Sequence, residues 1–423
     1  MLDLKLIRSD PERVQRELAR RGSDADIAAY LALDERRRKL LAEVETLKAE
    51  RNRASEGIAR AKQAKADASE AIAAMQEVGA RIKALDEQVR EVETDLEAQA
   101  LRFPNLPDPS VPDGVSDAQN VIMREWGEPR AFDFEPQPHW DIAARLGIID
   151  FERAAKIAGT RFEIFRGAGA LLRRALMNFM LETHVTERGY IEIAPPILTS
   201  RESLTASGHL PLFDDDLFHV RERDQFLIPT AESPLANLHR DEILEDADLP
   251  RRYAAFSPCF RNEKVGAGKE SRGLIRQYQF DKIELFWYTR PEKALDELET
   301  LTADAERIYQ LLKLPYKIEL HCAGDMAPAA VKAYDPLAWF PGVGKWLELS
   351  SCSCCGDWQA RRANVRFRRE PRGKPEFVHT LNGSGLAIGR TLAAVLENYQ
   401  QADGTVRIPD ALVPYMRGMT VIG

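Results

Sequence analysis

Between residues 30 and 102 the apolar positions step by four and three. Leu33, Leu40, Val44, Leu47, Ala54, Ile58 and Ala61 form one seam, interrupted by Arg37 and Arg51; Met75, Val78, Ile82, Leu85, Val89, Val92 and Leu96 form a second. Seven-residue periodicity in two runs with a polar break between them predicts an antiparallel coiled-coil hairpin. At 1.5 Å of rise per residue, such an arm reaches roughly 50 Å. Ahead of it, Ser9-Asp10-Pro11-Glu12 has the form of a capping box and predicts a short helix ending near Gly22. The hairpin stops at FPNLPDPSVPDG, where Pro104, Pro107, Pro109 and Pro112 forbid helix and stiffen the joint.

Beyond the prolines the pattern changes. Helical runs at 170–186, 291–312 and 386–400 alternate with strand-like ones. From Ile275 onward the even positions carry Arg276, Tyr278, Phe280, Lys282 and Glu284, and a strand's period of two puts these on one face. Arg261 and Glu263 share a face in the same way, as do Thr230 and Glu232 in FLIPTAESPL. A solvated sheet face has little use for Tyr278 and Phe280 among its charges, so these strands are expected to face a site. The expected organisation is an N-terminal helical unit at 1–103, a linker at 104–117 and a mixed α and β domain at 118–423. The chain shows no internal repeat.

Between two of these strands lies GAGKES, which has the look of a phosphate-binding loop. With Gly268-Lys269 as its Gly-Lys pair, Glu263 stands where the first glycine belongs and Glu270 where the Mg²⁺-binding hydroxyl belongs. Two carboxylates would face the phosphates. The stretch therefore reads as a glycine-permitted loop between antiparallel strands.

The 423 residues carry a net charge of -8, so a nucleic-acid contact must be local. One local candidate exists: Lys48, Arg51, Arg53, Arg60, Lys62 and Lys65, at the far end of the predicted arm, face only Glu50 and Glu56. A solvated coiled-coil face is the plainer reading of such a run, and a phosphate-backbone contact is the alternative. Five cysteines, an odd set without disulfide-like spacing, favour a reducing compartment. The opening MLDLKLIRSDPERV lacks a signal peptide's apolar run, and no segment approaches the ~18 apolar residues of a membrane span. A cytoplasmic protein is expected.

FRNE…RGLIR…QFDKIELF resembles motif 2 of the class II aminoacyl-tRNA synthetases, and NGSGLAIGRTLAAVLENYQQADGTVRIPDALVPYM resembles motif 3. With MLDLKLIR, the hairpin, TAESPL, GDM, ELSSCS and DWQARRANVRFR, the whole chain resembles the bacterial-type seryl-tRNA synthetase family. That resemblance implies an α+β fold: a coiled-coil tRNA-binding arm and a class II domain of six or seven antiparallel strands flanked by helices. It implies activation of L-serine with ATP and transfer to tRNA(Ser), with tRNA(Sec) as an optional second acceptor. GYIEIAPPILTS, with Pro196, resembles motif 1, which the family uses for dimer contacts, so a homodimer is implied.

The same resemblance assigns residues. Arg261 bridges the α-phosphate and the serine carboxylate, and Glu263 accepts from the adenine amino group. Phe280 and Arg390 sandwich the adenine, and Arg390 reaches the γ-phosphate; Arg261 and Arg390 are the catalytic pair. Asn262, Gln277, Leu349 and Ser350 complete the ATP contacts, Gln277 mainly by its backbone. Glu348 and Ser351 hold Mg²⁺ with hard oxygen ligands. Thr230, Ala231 and Glu232 receive the serine ammonium, while Glu284, Ser384 and Asn382 surround its hydroxyl. Arg51, Arg53, Arg60, Lys62 and Lys65 become tRNA contacts. In SCSCC, Cys352 and Cys355 have CxxC spacing, but no second pair completes four ligands; structural thiols are expected, and no zinc. Two other functions compete, a serine-activating relative that loads a carrier protein and a non-catalytic RNA-binding paralogue. The long arm argues against the first and the retained Arg261, Glu263, Glu284, Glu348 and Arg390 against the second.

Overall fold

The computed structural model describes residues 1–262 and 272–423, and the chain divides into two compact units. One comprises Leu2–Ala19 and Ser23–Phe103; the other comprises Pro104–Gly423 with Met1 and Arg20–Gly22.

The first unit is helical: α1 (Leu4–Ser9), α2 (Pro11–Arg20), α3 (Ile27–Gln63) and α4 (Ser69–Ala100). The capping box resolves differently from its sequence pattern. Ser9 closes α1, its hydroxyl donating to the Leu6 carbonyl, and Asp10 caps α2 by accepting from the Arg13 N–H. The helix at Leu4–Ser9 has no sequence signal beyond Asp3, whose carboxylate accepts from the Lys5 N–H. It matters to the arm because Arg8 holds Asp34 in a two-point ion pair at 2.7 and 2.8 Å. Asp34 is fully buried in α3, and the Arg8 hydrogen bonds lower its pKa against the cost of burial. Along the hairpin Val44, Leu47, Ile82, Leu85, Val89, Val92 and Leu96 are buried, as the seams predict. Ala54 is exposed, whereas Ile58, nearer the tip, is buried. Arg37 leaves the seam to meet Glu93 at 2.8 Å.

The second unit is organised around a nine-stranded sheet. Its strands in chain order are β1 (Val121–Trp126), β2 (Ile191–Glu192), β3 (Arg251–Phe260), β4 (Gln279–Thr289), β5 (Tyr316–Leu320), β6 (Lys332–Phe340), β7 (Lys345–Glu348), β8 (Cys352–Gly356) and β9 (His379–Ala387). Across the sheet the order is β1-β5-β6-β8-β9-β4-β3-β2, with β7 folded back on β6. All pairings are antiparallel except β2 with β3. The sheet is larger than the six or seven strands expected, and its short β2 edge runs parallel.

Three helices cover one face: α5 (Ala168–Arg188), α6 (Ala294–Leu311) and α7 (Ile388–Tyr399). Strand alternation then decides what reaches the other face. On β4, Ile283, Leu285 and Trp287 enter the main core with the helices, while Phe280, Lys282 and Glu284 line a cavity on the opposite side. On β8, Cys352 and Cys354 go to the core, and Ser353 and Cys355 to the cavity. On β9, glycines admit the helices: a Cβ on Gly383 would meet Leu301 of α6 at 2.4 Å, and one on Gly385 would meet His184 of α5 at 2.8 Å.

The proline-rich stretch packs against this unit rather than spanning free space. Asn105 donates to the carbonyls of Ala329 and Cys355, and Val111 is buried with Ala323, Met326, Ala330 and Ala333. Among the described residues no helix is long and apolar enough to cross a membrane.

Candidate active site

A cavity of about 680 Å³ opens on the polar face of the sheet, within the roughly 300–1,000 Å³ range of small-molecule sites. Twelve of the residues singled out by sequence line it: Thr230, Glu232, Arg261, Gln277, Phe280, Glu284, Glu348, Leu349, Ser351, Asn382, Ser384 and Arg390. Their sequence separations close through the sheet register, in which Glu284 pairs with Ser384 and Phe286 with Asn382.

At one end Thr230, Lys282 and Glu284 form a buried triangle. Lys282 Nζ lies 2.5 Å from Glu284 Oε2 and donates to Thr230 Oγ1 at 2.8 Å; the Thr230 hydroxyl donates to Glu284 Oε2 at 2.9 Å. Glu232 stands beside them. Its Oε1 accepts from Gln359 Nε2 at 2.7 Å and from Asn382 Nδ2 at 2.9 Å. Burial, and then the negative charge of Glu284, push the Glu232 carboxyl well above its ordinary range, although Lys282 and Arg261 oppose the shift. His209 also lines this end; burial first, then the charges of Arg261, Lys282 and Arg362, lower its pKa to about 3, so the ring is neutral.

The other end is more open. Arg390 donates to the Glu348 carbonyl at 2.7 Å and to its Oε2 at 3.1 Å, and its Nε donates to the Ile275 carbonyl. The guanidinium over the Phe280 ring is that of Arg261, 5.2 Å from the centroid, rather than that of Arg390. Asp335 lines the cavity near Glu348; burial and the Glu348 charge raise its pKa to about 6, against hydrogen bonds from His321 and Ser351. Its buried Oδ1 has no hydrogen-bond partner. Glu348 and Ser351 line the same cavity and, like Asp335, offer oxygen, the donor type that a small hard cation takes.

Several expectations resolve differently. Thr230 and Glu232 are not on a strand: Glu232 opens a short helix (Glu232–Leu235), and its N–H donates to Thr230 Oγ1 at 3.1 Å. β4 begins at Gln279, so Arg276 and Gln277 reach the cavity from the preceding segment. Tyr278 turns away to pack on Phe162 and Phe218, with ring centroids 5.8 and 6.3 Å distant. Asn262 points its amide at the Asp215 carbonyl, Ser350 donates to the Ser384 carbonyl, and Ala231 is fully buried behind the lining. Glu263 and the GAGKES loop lie outside the described residues, although the flanking β3 and β4 do form an antiparallel pair. Cys352 and Cys355, three apart on a strand, face opposite sides of the sheet and cannot share a metal. All five cysteines are free and buried, and burial pushes the thiols of Cys352 and Cys354 up to about 12.

Sequence reasoning missed Gln359, His209 and Asp335 as site residues and gave Lys282 no role. Only Lys282 carried a signal, as a member of the even row with Phe280 and Glu284.

This antiparallel sheet, with an arginine just beyond one strand and another on the helix after the last, defines a class II aminoacyl-tRNA synthetase core. Residues 217–399 match the family model described as tRNA synthetase class II core domain (G, H, P, S and T). Residues 1–107 match the seryl-tRNA synthetase N-terminal domain. The chain is 53% identical over 423 residues to the serine–tRNA ligase of Exiguobacterium sibiricum, covering 100% of both. Among solved structures it is similar to seryl-tRNA synthetase from Pyrococcus horikoshii complexed with ATP: TM-score 0.93, 38% identity, 100% of this chain and 99% of that one. It is also similar to the cytoplasmic serine–tRNA ligase from Naegleria fowleri in complex with AMP: TM-score 0.87, 29% identity, 100% and 98% covered. The chain belongs to the serine–tRNA ligase family.

Proposed function

We propose that the protein activates L-serine with ATP and transfers the seryl group to the 3′ end of tRNA(Ser), and that the cavity on the sheet performs both steps. The observation that carries this reading is the pairing, in one cavity of a family member, of a buried carboxylate and amide end with an arginine-rich end. Relatives whose structures hold ATP and AMP support the nucleotide assignment.

In activation a serine carboxylate oxygen attacks the α-phosphorus and pyrophosphate leaves. Arg261 bridges the two reactants and meets the charge that develops on the α-phosphate. The adenine stacks on Phe280, with Arg390 on its other face, reaching the γ-phosphate; Arg390 must then exchange its Glu348 contact for the nucleotide. Gln277, Leu349 and the 262–263 and 350–351 segments supply further nucleotide contacts. Mg²⁺ fits Glu348 and Ser351, with Asp335 beside them, and would neutralise phosphate charge there. Thr230 and Glu232 take the serine ammonium; Glu284, Ser384 and Asn382 surround its hydroxyl. In transfer, a ribose hydroxyl of tRNA attacks the seryl carbonyl and AMP leaves.

The exposed Arg53, Arg60, Lys62 and Lys65, with half-buried Arg51, support tRNA binding by the arm. The N-terminal unit at 1–103 is accordingly the tRNA-binding domain, 104–117 the connection and 118–423 the catalytic domain. Ile191, Ile197 and Leu198 around motif 1 are each more than two-fifths exposed, and a homodimer would cover them. A cytoplasmic location and tRNA(Sec) as a second acceptor complete the reading. Its test is serine-dependent exchange of pyrophosphate into ATP, followed by tRNA charging. A chain that exchanges with no amino acid, or equally with all, would overturn it.

A further inference from the structure

We propose that Lys282 is a specificity-determining residue of the amino-acid end. Its ammonium cancels one of two carboxylates there, so that the pocket accepts a hydroxy amino acid as a net-neutral zwitterion and disfavours a cationic amine of the same shape. The inference rests on the reading of that end as the serine site.

Lys282 is 8% exposed, and its Nζ touches the two groups assigned to different parts of serine: Thr230 Oγ1 at 2.8 Å and Glu284 Oε2 at 2.5 Å. It therefore ties β4 to the turn that carries Glu232, whose N–H rests on the same Thr230 oxygen. The side-chain donors to the Glu232 carboxylate, Gln359 and Asn382, are neutral amides. The charges acting on Glu232 are those of Glu284, Lys282 and Arg261, and His209 adds none. With serine bound, two carboxylates stand against one ammonium and one guanidinium, and the zwitterion adds zero. Removing Lys282 leaves a net negative charge in a buried space, which costs least when a cation enters without its carboxylate.

The experiment measures serine-driven pyrophosphate exchange, with serinamide and ethanolamine as competitors, on the full chain. For Lys282→Met the KM for serine is expected to rise on the order of 10²-fold, as for truncation of one partner in a buried charge pair. The KM for ATP should stay within about threefold, and serinamide should gain on serine as a competitor by at least about tenfold. A structural role alone would move both KM values together. Lys282→Arg keeps the cation and should keep the parent's preference for serine over serinamide. Should Lys282→Met lose its thermal transition, Lys282→Gln takes its place: it removes the charge and keeps a hydrogen-bond donor, and serinamide should again gain on serine by at least about tenfold. A folded Lys282→Met or Lys282→Gln with the parent's preference for serine over serinamide would overturn the inference. Absence of serine-driven exchange in the parent would remove the site reading itself, and the inference with it.

Discussion

At the proposed amino-acid end Glu284 is 1% exposed and Thr230 2%, whereas at the nucleotide end the side chains of Glu348 and Arg390 are 43% and 26% exposed. The buried end is internally satisfied: each carboxylate already has donors, so a ligand must match a fixed pattern of acceptors. Such a site rejects analogues that leave its polar groups unpaired. The open end holds its arginine by contacts that a triphosphate can replace. On the proposed reading the difference separates two tasks within one cavity, with selection at the buried end and charge stabilisation where a large anion must enter and leave. Rejection of alanine then needs no second, hydrolytic domain.

The strongest way to break this division is at the arginine nearest both ends. Arg261→Ala is expected to lower the turnover of serine-driven pyrophosphate exchange by ~10²–10³, as for loss of one donor to a developing oxyanion. Its preference for serine over alanine should persist. Exchange kinetics with both amino acids check this, and a lost preference would show that the two tasks are not separable.

The arm should sharpen the comparison from outside the cavity. Replacing Arg51, Arg53, Arg60, Lys62 and Lys65 by Glu is expected to weaken tRNA binding on the order of 10²-fold near 0.1 M salt, with a flatter dependence on salt. Exchange without tRNA should be untouched. Filter binding across a salt series, beside the exchange assay, separates a phosphate contact from an idle solvated face.

A smaller effect distinguishes the ends by pH. Glu232 has a raised pKa, from burial first and then Glu284, while Lys282 and Arg261 face it as opposing cations and His209 stays neutral. The serine ammonium needs the ionised carboxylate. Serine KM should therefore rise as pH falls through that raised pKa, at a higher pH than an ordinary carboxylate would give, approaching about tenfold per pH unit. The KM for ATP should not follow. Glu232→Gln should abolish the dependence, and a parallel change in both KM values would refute the assignment.

How much of this was legible in the sequence differs between the units for a physical reason. In the arm each side chain's environment follows from its own helix and one partner, so the seams through Val44, Leu47, Ile82 and Leu85 could be read directly. Asp34 could not: Arg38, one turn along its own helix, lies at 3.4 Å, but the two-point pair that satisfies the buried carboxylate comes from Arg8, on a separate short helix. In the second unit the row Phe280, Lys282, Glu284 was visible because a strand's period of two survives in sequence. The spacing of Thr230 and Glu232 fits a strand equally well, and a helical turn won because the Thr230 hydroxyl caps the Glu232 N–H. His209 and Asp335 line the cavity, and Gln359 bears on it from behind by donating to Glu232, through long-range contacts that leave no local pattern.

The most direct test of the account is the ratio of serine to alanine utilisation, kcat/KM in pyrophosphate exchange, for the parent and for a folded Glu284→Ala variant. The account predicts that the ratio falls by about tenfold or more, with the KM for ATP little changed, because the acceptor for the serine hydroxyl has gone. If Glu284 were only a member of a structural ion pair, the ratio would equal the parent's. That result would contradict the assignment of the buried end as the place where serine is chosen.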